Sequence, residues 1–173
     1  DVEVSFTPYL DAGITNEDTN WDDAFWETLS ISENNPQAFI RSQTMKTKFN
    51  VCTFMQSKLL LNETEVDTDG LVEKHENSIG ITYLTKVSKG QKATLQKFAG
   101  YVVSTNHKTE ILVDAAKSVL DKGLSLGYGQ LLSMQKDSWA QIWEMADIVI
   151  EGDIKAQQGI RFNIFQLNQT YLG

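Results

Sequence analysis

The chain is 173 residues long, enough for one domain with an appendage and for a sizeable core. Hydrophobic residues make up 41% and charged residues 22%, the balance of an ordinary globular protein rather than a disordered one. A net charge of −8 sets the surface against phosphate backbones and anionic lipid, which argues against non-specific nucleic-acid binding.

No run of about 18 apolar residues exists to span a membrane, and no basic region followed by an apolar one opens the chain. Val2, Val4 and Phe6 alternate with polar neighbours from the start, so the opening reads as the middle of a fold. The end at Gly173 follows directly on a predicted helix and reads as equally abrupt. A single cysteine, Cys52, leaves no intrachain disulfide and argues against a stapled secreted module. It stands beside Val51 and near Phe54, with no activating group close in sequence, and is expected to be a buried, inert thiol.

The first hundred residues read as strands. After the opening strand, the stretch from Phe25 to Ile31 alternates Phe25, Glu27, Leu29 and Ile31 on one side with Trp26, Thr28 and Ser30 on the other. Asn34, Asn35 and Pro36 signal a turn. Ala38 to Thr44 and Phe49 to Met55 predict two further strands, and Asn62 to Asp69, acidic and without strand rhythm, predicts a loop. A hairpin is expected next: Ser78 to Val87, a turn at Ser88, Lys89 and Gly90, and a return over Gln91 to Ser104. Strands at this spacing predict an antiparallel β-sandwich.

The period changes near Asn106. Leu112, Ala115, Ala116, Val119, Leu120 and Leu124 recur at helical spacing, with Gly123 and Gly127 marking the end. Tyr128 to Ala146 repeats the pattern with Leu131, Leu132, Trp139, Ile142 and Trp143. Gly152 and Asp153 predict a turn and an N-cap, opening a third helix from about Ile154 to Tyr171. That helix is apolar on two sides: Ile160, Ile164, Leu167 and Tyr171 on one, Phe162 and Phe165 nearly opposite. Two such faces call for two neighbours, and 173 residues offer little to cover the second.

Side chains with chemical potential are few. The acidic stretches, Asp22 with Asp23 and Glu63, Glu65, Asp67 and Asp69, read as solvated loops. A pair of carboxylates for glycosidic cleavage needs a set separation that closeness in sequence does not provide, and the ligand spacing of a calcium loop is absent. His75 and His107 are too few and too far apart for a zinc motif, and no nucleophile stands near either. Trp139 and Trp143 share a helix face, which suits a sugar-stacking platform or, more simply, packing of the helix onto the sandwich. Arg161, the one charge between Ala156 and Gly173, needs a partner, and Glu144, Asp147 and Glu151 are the candidates; a phosphate or sugar contact is the alternative.

The stretch from Trp139 to Leu167, and above all Gln-Gln-Gly-Ile-Arg-Phe-Asn at Gln157 to Asn163, closely resembles the maltose, kojibiose and trehalose phosphorylases. Val4 to Leu10 and Asn16 to Glu27 are similar more loosely. These are inverting α-glucosyl phosphorylases of one glycoside hydrolase family. The resemblance implies an antiparallel β-sandwich, part of a super-sandwich, over residues 1–106, a helical linker over 107–152, and over 153–173 the first helix of an (α/α)6 catalytic barrel. It implies phosphate attack on the anomeric carbon while a carboxylic acid protonates the leaving sugar. That acid, the phosphate-binding residues and the main glucose contacts belong to later barrel segments, so the chain is expected to hold no catalytic residue and no metal site, with its substrate-binding residues unassigned. Inorganic phosphate is the implied co-substrate of the parent, with no organic cofactor. A disaccharide is the implied partner, a homodimer one assembly of the parent, and the cytoplasm its location. Two alternatives stand beside this one: a non-catalytic carbohydrate-binding or structural sandwich, and a relative that hydrolyses, as a trehalase does.

Overall fold

The computed structural model describes residues 1–14, 24–67 and 69–171, the side chain of Tyr171 excepted. The first part of the chain forms antiparallel β-sheets, followed by one long helix and a second helix. It divides into two compact units, Asp1–Ser125 and Leu126–Gly173.

The first unit is built on two sheets. One has five strands in the order β3 (Trp26–Asn34), β4 (Gln37–Thr44), β5 (Asn50–Leu61) and β6 (Thr64–Val66), with β9 (Ala93–Val103) also paired to β5. The other gathers β1 (Val2–Phe6), β2 (Tyr9–Asp11) and β7 (Leu71–Lys74) around β8 (Ser78–Val87). β5 is the spine of the larger sheet. It pairs with β9 along its whole length from Val51 to Leu61, and with β4 and then β6 along the opposite edge.

Because side chains alternate across a sheet, β4 and β5 each have two faces to bury. Ala38, Ile40, Met55 and Leu59 point toward the smaller sheet and close on its Ile79, Ile81 and Tyr83. Phe39, Cys52, Phe54 and Val102 point the other way. There they meet Leu112, Ala116 and Leu120, one face of the first turns of helix α1 (Leu112–Ala146). The unit is therefore three layers deep: sheet, sheet, helix. Each fully buried large side chain contributes roughly 1.5–3 kcal/mol relative to exposure. Gly100 lies opposite Phe54 in the register, and a Cβ there would come within 2.9 Å of the Phe54 ring, so glycine gives that ring its space.

Several local expectations change. β8 and β9 do not pair with each other: the Ser88–Gly90 turn reverses the chain but passes it from one sheet to the other, because β9 finds its hydrogen-bond partner in the long edge of β5. The acidic segment after Leu61 is not all loop. Asn62 and Glu63 take left-handed backbone conformations that turn the chain back, and β6 pairs with the end of β5. In β3 the register shifts between Thr28 and Ser30. This bulge places Leu29 out of step, so Trp26 and Thr28 before it and Ile31 and Ser32 after it, rather than alternate residues throughout, are the partly buried ones. Val119, expected on the apolar stripe of the helix, is 48% exposed.

The second unit contains the rest of α1, which leaves helical conformation at Gly127 (φ 74°), and α2 (Ile154–Tyr171). The helix boundaries follow their sequence signals closely. Gly127 and Gly152 both adopt positive φ, the region glycine enters without steric cost. Asp153 caps α2, its Oδ1 accepting from the N–H groups of Lys155 and Ala156, each at 3.0 Å.

The layered core predicts an uneven response to truncation along α1. Leu120→Ala should cost about 2–5 kcal/mol, since it empties a site closed on every side. Val119→Ala, one residue away and half exposed, should stay within about 0.5 kcal/mol. Urea unfolding of the two variants measures the difference.

Candidate functional site

Side chains with chemical potential do not converge among the described residues of the first unit. Trp21, Asp22 and Asp23 lie outside the described residues. Glu65 pairs with Lys58 at 3.0 Å across the β5–β6 hairpin, and Glu63 is part of its turn. His75 closes the turn between β7 and β8, its N–H donating to the Ser78 carbonyl at 2.9 Å. His107 follows β9, its N–H donating to the Val103 carbonyl at 3.2 Å. Among the described residues no three His, Cys, Asp or Glu side chains gather closely enough to hold a metal ion. Cys52 is fully buried. Burial pushes its thiol up to about 11, against a smaller opposing effect of the Arg41 charge, so the thiolate a nucleophile needs is suppressed.

The second unit is where the singled-out residues meet. Arg161 forms a two-pronged bond with Asp147, Nε to Oδ1 at 2.8 Å and Nη2 to Oδ2 at 2.6 Å. Asp147 was one of three carboxylates the sequence offered, and it wins because it lies just past the end of α1, facing the same stripe of α2. Four residues earlier, Gln157 grips the connection itself: Nε2 donates to the Ile148 carbonyl at 2.8 Å and Oε1 accepts from the Ile150 N–H at 2.6 Å. Four residues later, Phe165 packs on Trp139, ring centres 4.9 Å apart. Gln157, Arg161 and Phe165 thus form one stripe of α2, spaced by four.

The tryptophans do not form an open platform. Trp139 has Phe165 beside it and Trp143 at 6.0 Å with the rings tilted by 31°. A shallow, mainly apolar groove of about 500 Å³ runs along α2, walled by Trp143, Ile154, Phe162 and Phe165, with Gln157, Gln158 and Arg161 at its polar margin. Phe162 and Leu167 are about three-fifths exposed, while Ile160, Ile164 and Phe165 are partly covered. The helix therefore has one satisfied stripe and apolar side chains left over on either side of it. Gln157 was missed as a contributor. The only sequence signal for it was its position one turn before Arg161.

The arrangement ties α2 to the end of α1 and to the connection between them. Comparison with known proteins gives the context. Residues 1–142 match the N-terminal domain of glycosyl hydrolase family 65.

The chain belongs to that family.

A maltose phosphorylase of Bacillus subtilis (strain 168) is 32% identical over 173 residues, all of this chain and 22% of that protein. An α,α-trehalose phosphorylase of Thermoanaerobacter brockii is 26% identical, covering 97% of this chain and 22% of that protein. A solved structure of a proposed kojibiose phosphorylase from the human microbiome superposes with a TM-score of 0.77 at 17% identity, covering 95% of this chain and 21% of that one. The fold is thus that of the corresponding part of a family 65 protein, and the chain spans about a fifth of the length of these relatives.

The Asp147–Arg161 pair predicts a pH response of definite sign. The Arg161 hydrogen bonds hold the Asp147 carboxyl below its ordinary value, partly opposed by burial and reinforced by the Arg161 charge and the Ile148 N–H. A depressed carboxylate pKa means the pair survives as pH falls through the ordinary range near ~3.9, and opens only below it. In an NMR titration the Asp147 carboxyl carbon should therefore shift at lower pH than in Arg161→Gln.

Proposed function

We propose that the chain is part of a disaccharide phosphorylase that cleaves an α-linked glucose disaccharide of the maltose kind with inorganic phosphate. A phosphate oxygen attacks the anomeric carbon, the glycosidic bond breaks, and a carboxylic acid gives its proton to the oxygen of the leaving sugar. The products are glucose 1-phosphate of inverted configuration and a free sugar. The observation that carries this reading is the likeness to maltose phosphorylase over the full 173 residues, running past the matched N-terminal domain into the second helix.

Within that enzyme the chain has a supporting role and shapes the approach to the active site. Residues 1–106 are its sandwich portion, 107–152 the helical linker, and 153–173 the start of an (α/α)6 barrel. The leftover apolar residues of α2, Phe162 and Leu167, suit a helix whose second neighbour is another barrel helix. The acid and the phosphate site belong to that barrel. The enzyme needs phosphate and no organic cofactor, and works in the cytoplasm.

The chain alone should then release no glucose 1-phosphate from maltose, trehalose or kojibiose above a heat-killed control. The whole protein should release it in a phosphate-dependent manner. Phosphorolysis by the chain alone would refute the supporting role. Glucose release by the whole protein without phosphate would replace phosphorolysis with hydrolysis.

A further inference from the structure

We infer that Asp147, Gln157 and Arg161 are positioning residues that lock the joint between α1 and α2, so that α2 leaves its connection in one fixed attitude. Seven residues separate the helices, from Asp147 to Asp153, and a connection of that length containing Gly152 would by itself leave many arrangements open. The structure closes them one at a time. Asp147 N–H donates to the Trp143 carbonyl, finishing the last turn of α1. Arg161 then takes both carboxylate oxygens of Asp147, and a two-pronged bond fixes direction as well as distance. Gln157 meets the backbone of Ile148 and Ile150 with both ends of its amide, as a neighbouring strand would. Asp153 fixes the first turn of α2 from the other side.

The Arg161 side chain is half exposed and that of Asp147 is 29% exposed, so the pair's contribution to overall stability is small. Its effect is geometric. Two clamps from one helix, a turn apart, hold both the end of α1 and the link. Phe165 against Trp139 adds a third point of contact on the same stripe. This deepens the phosphorylase reading: if α2 opens the catalytic part, the joint sets how that part is presented. The joint itself is a property of this chain and is measurable without activity.

The test is a distance measurement on the 173-residue chain with spin labels at Lys136→Cys and Gln166→Cys, two exposed positions on α1 and α2. Cys52 is buried and does not compete for the label. The parent should give one narrow distance distribution. Asp147→Ala with Gln157→Ala should lose the narrow peak while far-ultraviolet circular dichroism keeps its helical signal. The charge exchange Asp147→Arg with Arg161→Asp, which restores a pair in the opposite sense, should recover it relative to Asp147→Arg alone. Should the alanine pair lose helical signal, Arg161→Lys decides: it keeps the charge without the fork and should broaden the peak. A broad distribution in the parent, or variants as narrow as the parent, would overturn the joint while leaving the phosphorylase reading untouched.

Discussion

The first unit depends on a sheet that must be covered on both faces. β4 and β5 carry apolar side chains at successive positions, Ala38, Phe39 and Ile40 on one strand and Phe54 and Met55 on the other. A half-wet antiparallel sheet would alternate apolar with polar residues. This one cannot, so one face takes the smaller sheet and the other takes the start of α1. Leu112, Ala116 and Leu120 are as deeply buried as the residues between the sheets. The beginning of the long helix is thus part of the domain core, and Gln37, which donates to Asp121 at 2.8 Å, adds a polar tie between β4 and that helix.

The sequence carried the signals of period well and those of partnership poorly. Alternation marked β4, β5, β8 and β9, and the change to helical spacing near Asn106 was plain in Leu112, Ala116 and Leu120. Gly127, Gly152 and Asp153 marked helix ends because each has a local backbone reason to stand there. Which strands pair is a different matter. Ser88–Lys89–Gly90 declares a reversal, yet nothing local distinguishes a hairpin from a crossing between sheets, and the decision rested on the free edge of β5 forty residues earlier. Strands of three or four residues, such as β6 and β7, are too short to show a period. The bulge at Leu29 inverted the alternation that made β3 recognisable.

The same division holds at the joint. An arginine in an otherwise uncharged helix announced a partner, and Asp147 was within the named set. For the tryptophans the expectation was packing of the helix onto the sandwich, and within the second unit Trp139 packs on Phe165. Gln157 announced little beyond its place one turn before Arg161, since an amide on a helix surface is ordinary and its two bonds go to the backbone of the link. The resemblance carried by Gln157 to Asn163 pointed at the right family. The residues themselves explain what that run does here: it holds the connection in place.

The central claim is that the start of α1 belongs to the same core as β5. Native-state hydrogen exchange tests it directly, because regions that share a core open together. The amides of β5 from Cys52 to Leu59 and those of α1 from Ala116 to Leu120 should fall in one slow class with matching dependence on denaturant. Fast exchange of the helical amides, with β5 remaining slow, would show that the helix merely rests on the sheet and would contradict the three-layer account.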